Sequence, residues 1–163
     1  MSVYAVDTLI AQARKLASDY RKTMDKPLAG ISSEIAEYDA VHLLDLEACK
    51  PAVNGYDAIG KGSREGKRVQ IKGRVISKGK AAGQRVGQIK LDQDWDIVVL
   101  VILTEEYEPH EIYEVSHEAI KADHEKVGEG PRSKRGAMSV AKFKAIGRLA
   151  WSHENGLIDT AEK

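Results

Sequence analysis

Three polar residues near the middle of the chain have types and a spacing that suit hydrolytic chemistry. Asp57 precedes a glycine-rich turn, and Gln70 and Lys72 follow it within the run RVQIKGRVI, whose β-branched residues predict a strand. Because side chains alternate along a strand, Gln70 and Lys72 share one face. Val69 and Ile71 share the opposite, apolar face. A carboxylate, an amide and an ammonium group would therefore converge if Asp57 lies on the neighbouring strand.

Such a convergence suits a hard divalent cation. The Asp57 carboxylate, the Gln70 amide oxygen and the backbone carbonyl of Ile71 would offer three oxygen ligands, the kind that Mg²⁺ or Mn²⁺ prefers. Lys72 beside them would orient or deprotonate a water molecule, or neutralise the charge that develops on an attacked phosphate. The spacing therefore predicts a site for phosphodiester hydrolysis.

The surrounding elements are predicted to form an α/β domain around this site. Apolar residues at intervals of three and four predict helices at 7–24, capped by Asp7 or Thr8, and at 32–46. Residues 47–55 are predicted to be a connection. Runs rich in β-branched residues predict strands at 56–59, 68–76, 96–104 and 111–116, and further helices are predicted at 116–126 and 139–151. The run IVVLVIL is apolar without alternation, which predicts a strand buried on both faces, with helices on both sides of a mixed sheet.

Length and composition favour one domain. A chain of 163 residues, 42% of them hydrophobic, supports one core, in which we distinguish an N-terminal helix (1–27), a central part (28–126) and a basic loop with a C-terminal helix (127–163). The single cysteine and the start MSVYAVDTLI, which does not resemble a signal peptide, predict a cytoplasmic protein. The longest apolar run is much shorter than the ~20 residues of a membrane-spanning helix, so no membrane partner is predicted.

Charge is segregated along the chain although the formal net charge is zero. Residues 61–90 contain ten lysines and arginines and one acid, 91–129 contain twelve acids and two lysines, and 130–153 contain six bases and no acid. Basic surfaces of this kind are typical of proteins that bind a polyanion. Candidate contacts to DNA phosphates are Arg74, Lys78, Lys80, Arg85, Arg132, Lys134 and Arg135. The alternative interpretation is that the runs are solvated faces that neutralise each other.

The order of these features resembles the PD-(D/E)xK nuclease superfamily, whose fold is called restriction-endonuclease-like. The resemblance covers about residues 28–120 and rests on Asp57, the turn after it, Gln70-x-Lys72, an acid-bearing helix before them and the buried strand DIVVLVILT behind them. It implies a central mixed β-sheet flanked by helices, with extra N-terminal and C-terminal helices in this chain. It also implies one or two Mg²⁺ or Mn²⁺ ions and hydrolysis of DNA.

The chain departs from the superfamily pattern at one ligand, since Gln70 stands where Asp or Glu is usual, and no proline precedes Asp57. Glutamine keeps an oxygen ligand but removes one negative charge, which implies weaker metal binding. On charge alone, Gln70→Glu is expected to tighten the binding of Mg²⁺ or Mn²⁺.

The resemblance also implies an acid on the helix before the motif, and this helix offers two. Glu34 lies in the first turn, where the helix dipole favours an acid whatever its function. Glu37 lies one turn deeper and borders the predicted apolar stripe, where a merely solvated acid is less expected. We favour Glu37 slightly and retain Glu34 as the second candidate for a metal ligand.

Two alternatives to a metal-dependent nuclease follow from the same residues. The first is a nucleic-acid-binding or scaffold module that kept the fold and lost catalysis. The second is an interaction protein in which the acidic and basic stretches mediate self-association, as in a homodimer. Other chemistry has less support, because the histidines lack metal-ligand spacing and GKGSREGK lacks the GKS or GKT ending of a P-loop. No nucleotide cofactor is therefore predicted.

Overall fold

The computed structural model describes residues 5–53, 55–77, 84–127 and 137–158. Within them, a curled mixed sheet is flanked by four helices. The elements in chain order are α1 (Val6–Met24), α2 (Ile31–Leu43), β1 (Leu46–Val53), β2 (Tyr56–Gly60), a 3-10 turn (Gly62–Arg64), β3 (Arg68–Val75), β4 (Arg85–Gln88), β5 (Ile97–Leu103), β6 (Pro109–Ser116), α3 (His117–Val127), β7 (Ala137–Ser139), α4 (Val140–Ile146), β8 (Arg148–Ser152) and β9 (Gly156–Leu157). The predicted α/β class is confirmed.

The described strands form one large sheet and one separate ribbon. The large sheet has the order β1-β2-β3-β5-β6-β8-β9. β3 and β5 are parallel, and the other neighbours in this sheet are antiparallel. β4 and β7 pair antiparallel to form the two-stranded ribbon. The connection between the parallel strands β3 and β5 therefore includes one strand of this ribbon.

The curl of the sheet is evident from a charged cluster between distant strands. Glu114 on β6 accepts a hydrogen bond of 2.7 Å from Nε of Arg64, which lies in the turn after β2. Glu114 also accepts a hydrogen bond from Nε of Arg148 on β8. Since β3 and β5 lie between β2 and β6 in the sheet, the Arg64–Glu114 contact joins parts of the sheet that are not neighbouring strands.

β5 separates two apolar cores. Its residues from Val98 to Leu103 are all buried, which confirms the prediction of a strand buried on both faces. Val99, Val101 and Leu103 pack with α1 and α2 through Ala17, Ile35, Ala36 and Ala40. Val98, Leu100 and Ile102 pack with β4, α3 and α4 through Val86, Ile120, Val140 and Phe143. This two-sided burial explains why the strand sequence lacks alternation.

α2 packs closely against β3, the strand that carries Gln70 and Lys72. A Cβ atom at Gly73 would collide with Cβ of Ala36 and lie 3.0 Å from the carbonyl oxygen of Ser32. The close approach therefore requires glycine at this position. α2, which carries both candidate acids, therefore packs on the face of β3 opposite to the side chains of Gln70 and Lys72.

The prediction of a connection at 47–55 is wrong, because residues 46–53 form the strand β1. Among the described strands, β1 is an edge strand whose one partner is β2. Its pairing is irregular between Ala48 and Val53, and this stretch contains Pro51, which explains how a strand tolerates a proline. Consistent with this strand, α2 ends at Leu43 instead of continuing to 46.

The helix predicted at 139–151 is correct only in its first half. Ser139 caps α4 by accepting a hydrogen bond of 3.1 Å from Lys142 N, but the helix ends at Ile146. Arg148–Ser152 form β8 instead. A Cβ at Gly147 would lie 2.7 Å from the carbonyl oxygen of Glu114, so this glycine allows the chain to turn closely against β6. The ribbon strands and β9 are short and are also absent from the prediction.

α1 is the longest of the described helices, with 19 residues. Its N-cap is Ala5, with no side-chain cap, so the predicted capping by Asp7 or Thr8 is wrong. Val6, Leu9 and Leu16 are exposed large apolar residues on this helix. None of the described helices is both long and apolar enough to cross a membrane.

Candidate functional site

Asp57 lies where the pairing between β2 and β3 ends. The last paired residues on this side are Ala58 and Val69. Beyond this pair, Oδ2 of the Asp57 carboxylate accepts a hydrogen bond of 2.8 Å from the backbone N–H of Ile71. A side chain thus replaces the backbone acceptor that a continued strand pair would supply. The carboxylate is held between the two strands by this bond.

The carbonyl oxygen of Ile71 has the direction that a shared site requires. In antiparallel pairing, the N–H and C=O of one residue point toward the same neighbouring strand. Since the Ile71 N–H bonds to Asp57, the Ile71 carbonyl also points to the β2 side of β3. The predicted pairing of Asp57 with this carbonyl as oxygen ligands is therefore compatible with the backbone geometry.

Gln70 is a buried amide with only one end satisfied. Its residue is 9% exposed, and its Nε2 donates a hydrogen bond of 3.0 Å to the carbonyl oxygen of Gly55. Its Oε1 is buried and has no hydrogen-bond partner among the described residues. An unpaired buried acceptor costs about 1–3 kcal/mol in folding free energy, so a further partner for this oxygen would stabilise the protein. A cation is one such partner.

Lys72 lies within electrostatic reach of Asp57. Its Nζ donates a hydrogen bond of 3.0 Å to the carbonyl oxygen of Gln88 on β4. Burial lowers the pKa of Lys72, the charges of Arg74 and Lys90 lower it as well, and the carboxylate of Asp57 acts in the opposite direction. This lysine therefore gives up a proton more readily than an exposed lysine does, which suits a role in acid–base chemistry.

Cys49 on β1 links Asp57 with one of the two candidate acids of α2. Burial raises the pKa of the Cys49 thiol, and the negative charges of Asp57, Glu37 and Glu47 raise it further. Asp57 and Glu37 are therefore both within electrostatic reach of the same thiol. Glu37 is half-buried, whereas Glu34 is exposed in the first turn of α2. The structure thus relates Glu37 to Asp57 through a shared neighbour, and the choice between the two acids stays a prediction.

The candidate site has few carboxylates among its possible metal ligands. Within the described ranges, no group of three or more His, Cys, Asp or Glu side chains is placed to hold a metal ion. The predicted ligand set does not depend on such a group, since an amide and a backbone carbonyl would supply two of its oxygens. The unpaired Oε1 of Gln70 is the observation that fits a hard cation.

Arg74 is occupied with the protein backbone. Its guanidinium donates hydrogen bonds to the carbonyl oxygens of Gly73 (2.6 Å), Arg85 (2.8 Å) and Val86 (2.7 Å), and burial lowers its pKa. It therefore ties β4 to β3, which leaves fewer of its donors for a phosphate. Gly87 in the same ribbon has a φ of +94°, which residues with a side chain rarely adopt, and this favours glycine at this position.

The other predicted phosphate contacts are only partly within the described residues. Arg85 is exposed on β4. The remaining candidates lie outside the described residues: Lys78, Lys80, Arg132, Lys134 and Arg135. Their contribution to DNA binding stays a prediction.

Sequence reasoning missed two residues that hold the site, Gly55 and Gln88. Both act through backbone carbonyl oxygens, which accept from Gln70 and Lys72. A backbone acceptor carries no side-chain signature, so Gln88 could not be identified from the sequence. Gly55 had a weak signal, because a glycine before a strand suggests a turn that needs positive φ.

Comparison with known proteins adds no family to this geometry. No family model matches the chain, and no curated protein matches it.

Proposed function

We propose that the protein is a metal-dependent nuclease that hydrolyses DNA phosphodiester bonds and has a restriction-endonuclease-like core. The observation that carries this proposal is the position of the Asp57 carboxylate, which accepts a hydrogen bond from the backbone N–H of Ile71. The residue before Ile71 is Gln70, whose side-chain oxygen is buried and has no partner among the described residues. Lys72, whose pKa is lowered by burial, lies in electrostatic reach of the same carboxylate.

The order of the elements supports the same proposal. An acid-bearing helix, α2, precedes the strands and packs closely on β3. β2 and β3, which carry the candidate ligands, are antiparallel neighbours. The fully buried β5 follows as a parallel neighbour of β3. These features agree with the sequence resemblance over residues 28–120.

In this proposal, each polar residue of the site has a distinct role. Asp57, Gln70, the Ile71 carbonyl and Glu37, with Glu34 as the alternative acid, would hold Mg²⁺ or Mn²⁺. When bound, the ion supplies charge stabilisation for the phosphate and lowers the pKa of water. Lys72 would take a proton from the attacking water or donate a hydrogen bond to a phosphate oxygen.

Removing the Asp57 carboxylate tests the metal site. We expect Asp57→Ala to abolish Mn²⁺ binding in calorimetry and cleavage of labelled DNA, because the principal anionic ligand is lost. The metal-free variant should keep its fold with a lowered melting temperature, because the backbone N–H of Ile71 loses its acceptor. Asp92→Ala, which removes an exposed acid from the loop before β5, is the matched control and should behave as wild type. Undiminished Mn²⁺ binding by Asp57→Ala would contradict the assignment.

A non-catalytic DNA-binding module is the second candidate function. It is favoured by the small number of carboxylates at the site, since the described residues offer no cluster of three acids. A panel of duplex, branched and single-stranded DNA and RNA with Mg²⁺ or Mn²⁺ distinguishes the two functions. If the protein binds at least one of these substrates and cleaves none of them, the second candidate is supported.

A further inference from the structure

The Gln70 amide has one chemically allowed orientation beside Gly55. The carbonyl oxygen of Gly55 can only accept a hydrogen bond, so the amide nitrogen of Gln70 must face it, at 3.0 Å. The reversed amide would bring two oxygen atoms together. The contact with Gly55 therefore determines which way Oε1 of Gln70 points, and that oxygen is the unpaired one.

Gly55 is itself held at a defined position. Its φ of +104° lies in a region that residues with a side chain rarely adopt. A Cβ at this residue would also lie 3.1 Å from the backbone nitrogen of Asp94 and 3.2 Å from its carbonyl oxygen. Glycine is thus required both by the backbone conformation and by the neighbouring loop. The carbonyl that accepts from Gln70 therefore lies two residues before Asp57, in the turn that precedes β2.

We propose that Gly55 is a positioning residue of the candidate site and that position 70 requires an amide, not merely any oxygen ligand. The proposal rests on the proposed nuclease function. Glutamate at position 70 would lose the hydrogen bond and place a carboxylate oxygen against the Gly55 carbonyl oxygen. A buried charge beside an unpaired acceptor is unfavourable. This destabilisation opposes the stronger cation binding that an anionic ligand would provide. The carbonyl of Gly55, in the turn that precedes Asp57, therefore favours glutamine over glutamate at position 70.

The amide requirement is tested on the metal-free protein. We expect Gln70→Glu to lower the melting temperature. Gln93→Glu is the matched control, because Gln93 also lies beside Gly55 and the substitution adds the same charge, and it should melt as wild type does. An unchanged melting temperature for Gln70→Glu would overturn the requirement.

Repulsion between a glutamate at position 70 and Asp57 would also destabilise the variant, so the comparison is repeated in an Asp57→Asn background. If the Gly55 carbonyl is the cause, the loss caused by Gln70→Glu persists in that background. If the loss disappears there, the cause is repulsion between carboxylates, and the amide requirement is wrong.

The positioning role of Gly55 is tested by Mn²⁺ calorimetry. Substitution of residues that orient metal ligands costs about 10- to 100-fold in metal affinity, so Gly55→Ala should weaken Mn²⁺ binding in this range while circular dichroism shows a folded protein. Gln70→Glu should bind Mn²⁺ no more tightly than wild type. Tenfold tighter binding by Gln70→Glu, or unchanged affinity in Gly55→Ala, would overturn the proposal.

A second variant covers the case in which Gly55→Ala does not fold. Gln70→Glu keeps a side-chain oxygen at this position, loses the hydrogen bond to the Gly55 carbonyl and leaves the turn intact, so tighter Mn²⁺ binding by this variant would overturn the positioning role without Gly55→Ala. If wild type binds no Mn²⁺, the proposed nuclease function and the positioning role both fail, whereas the melting comparison still decides the amide requirement.

Discussion

At the scale of single residues, Cys49 reports the electrostatics of the candidate site. Burial raises the pKa of its thiol, and the charges of Asp57, Glu37 and Glu47 raise it further. Because the chain contains one cysteine, any thiol reagent reports on this position alone. The reactive species is the thiolate, so a change in the nearby negative charge changes the rate of alkylation.

We expect Asp57→Asn to lower the pKa of Cys49 and therefore to accelerate its alkylation by iodoacetamide at neutral pH. Mn²⁺ should accelerate alkylation of wild type, because the ion would offset the same negative charge. It should have no such effect in Asp57→Asn. Glu47→Gln is the control: it should accelerate alkylation without removing the response to Mn²⁺. A wild-type rate that is insensitive to Mn²⁺ would argue against a cation beside Asp57.

At the scale of secondary structure, the start of the parallel pair β3–β5 is fastened by an ion pair. Oδ2 of Asp96 accepts hydrogen bonds from the backbone nitrogen (2.8 Å) and Nε (3.0 Å) of Arg68, and Oδ1 accepts one from Nη2 (3.1 Å). The hydrogen bonds from Arg68 lower the pKa of Asp96. This contact holds the first residue of the strand that carries Gln70 and Lys72.

The lowered pKa of Asp96 makes stability depend on pH. A carboxyl group whose pKa is lower in the folded protein stabilises it above the unfolded pKa of about 3.9, and this contribution is lost as pH falls through the folded value. We expect Asp96→Asn to lower the free energy of unfolding by about 1 kcal/mol at pH 7, because the ion pair with Arg68 is lost. The loss is no larger because both side chains are partly exposed and solvent screens their charges. Urea denaturation should show a smaller difference from wild type below about pH 4. A difference that does not change with pH would mean that charge does not contribute.

At the scale of the whole molecule, the segregated charge suggests separate surfaces for binding and chemistry. Lys72 is half-buried and hydrogen-bonded to β4, whereas Arg85 is exposed on that strand. In the proposed mechanism, a lysine beside the metal ion acts mainly on charge that develops in the transition state. Peripheral bases neutralise phosphates in the ground state as well. Substitutions should therefore separate DNA binding from cleavage according to location.

We expect Arg85→Ala and a double change of Arg132 and Arg135 to alanine to weaken DNA binding. Removing one lysine or arginine that neutralises a phosphate should reduce the slope of log K against log salt by ~0.9 for duplex DNA. Lys72→Ala should abolish cleavage with little loss of binding, and Lys22→Ala on α1 is the control for an unrelated surface base. Unchanged salt slopes in the arginine variants would indicate that the basic stretches are solvated faces.

Sedimentation velocity at low and high salt tests the remaining alternative, a homodimer held by the segregated charges.

The sequence by itself determined the class of fold and most of its central elements. The helical periodicity of α1 and α2, the strands β2, β3, β5 and β6, and the burial of β5 on both faces all follow from local patterns of apolar residues. Such patterns can be recognised in a sequence because the spacing of apolar residues in a helix or strand repeats within a few residues. The candidate ligands Asp57 and Gln70 could be selected in the same way, from residue type and alternation.

Only the tertiary structure decided which groups these side chains contact. β8 has five residues and pairs with β6, which is distant in sequence, and its local sequence fits a helix equally well. β1 pairs irregularly with β2, and its local sequence, which includes Pro51, fits a connection equally well. Gln70 and Lys72 bond to the carbonyl oxygens of Gly55 and Gln88, which every sequence offers at every position. Local pattern cannot select among identical backbone acceptors, because the choice depends on how the turn before Asp57 and the ribbon fold over β3.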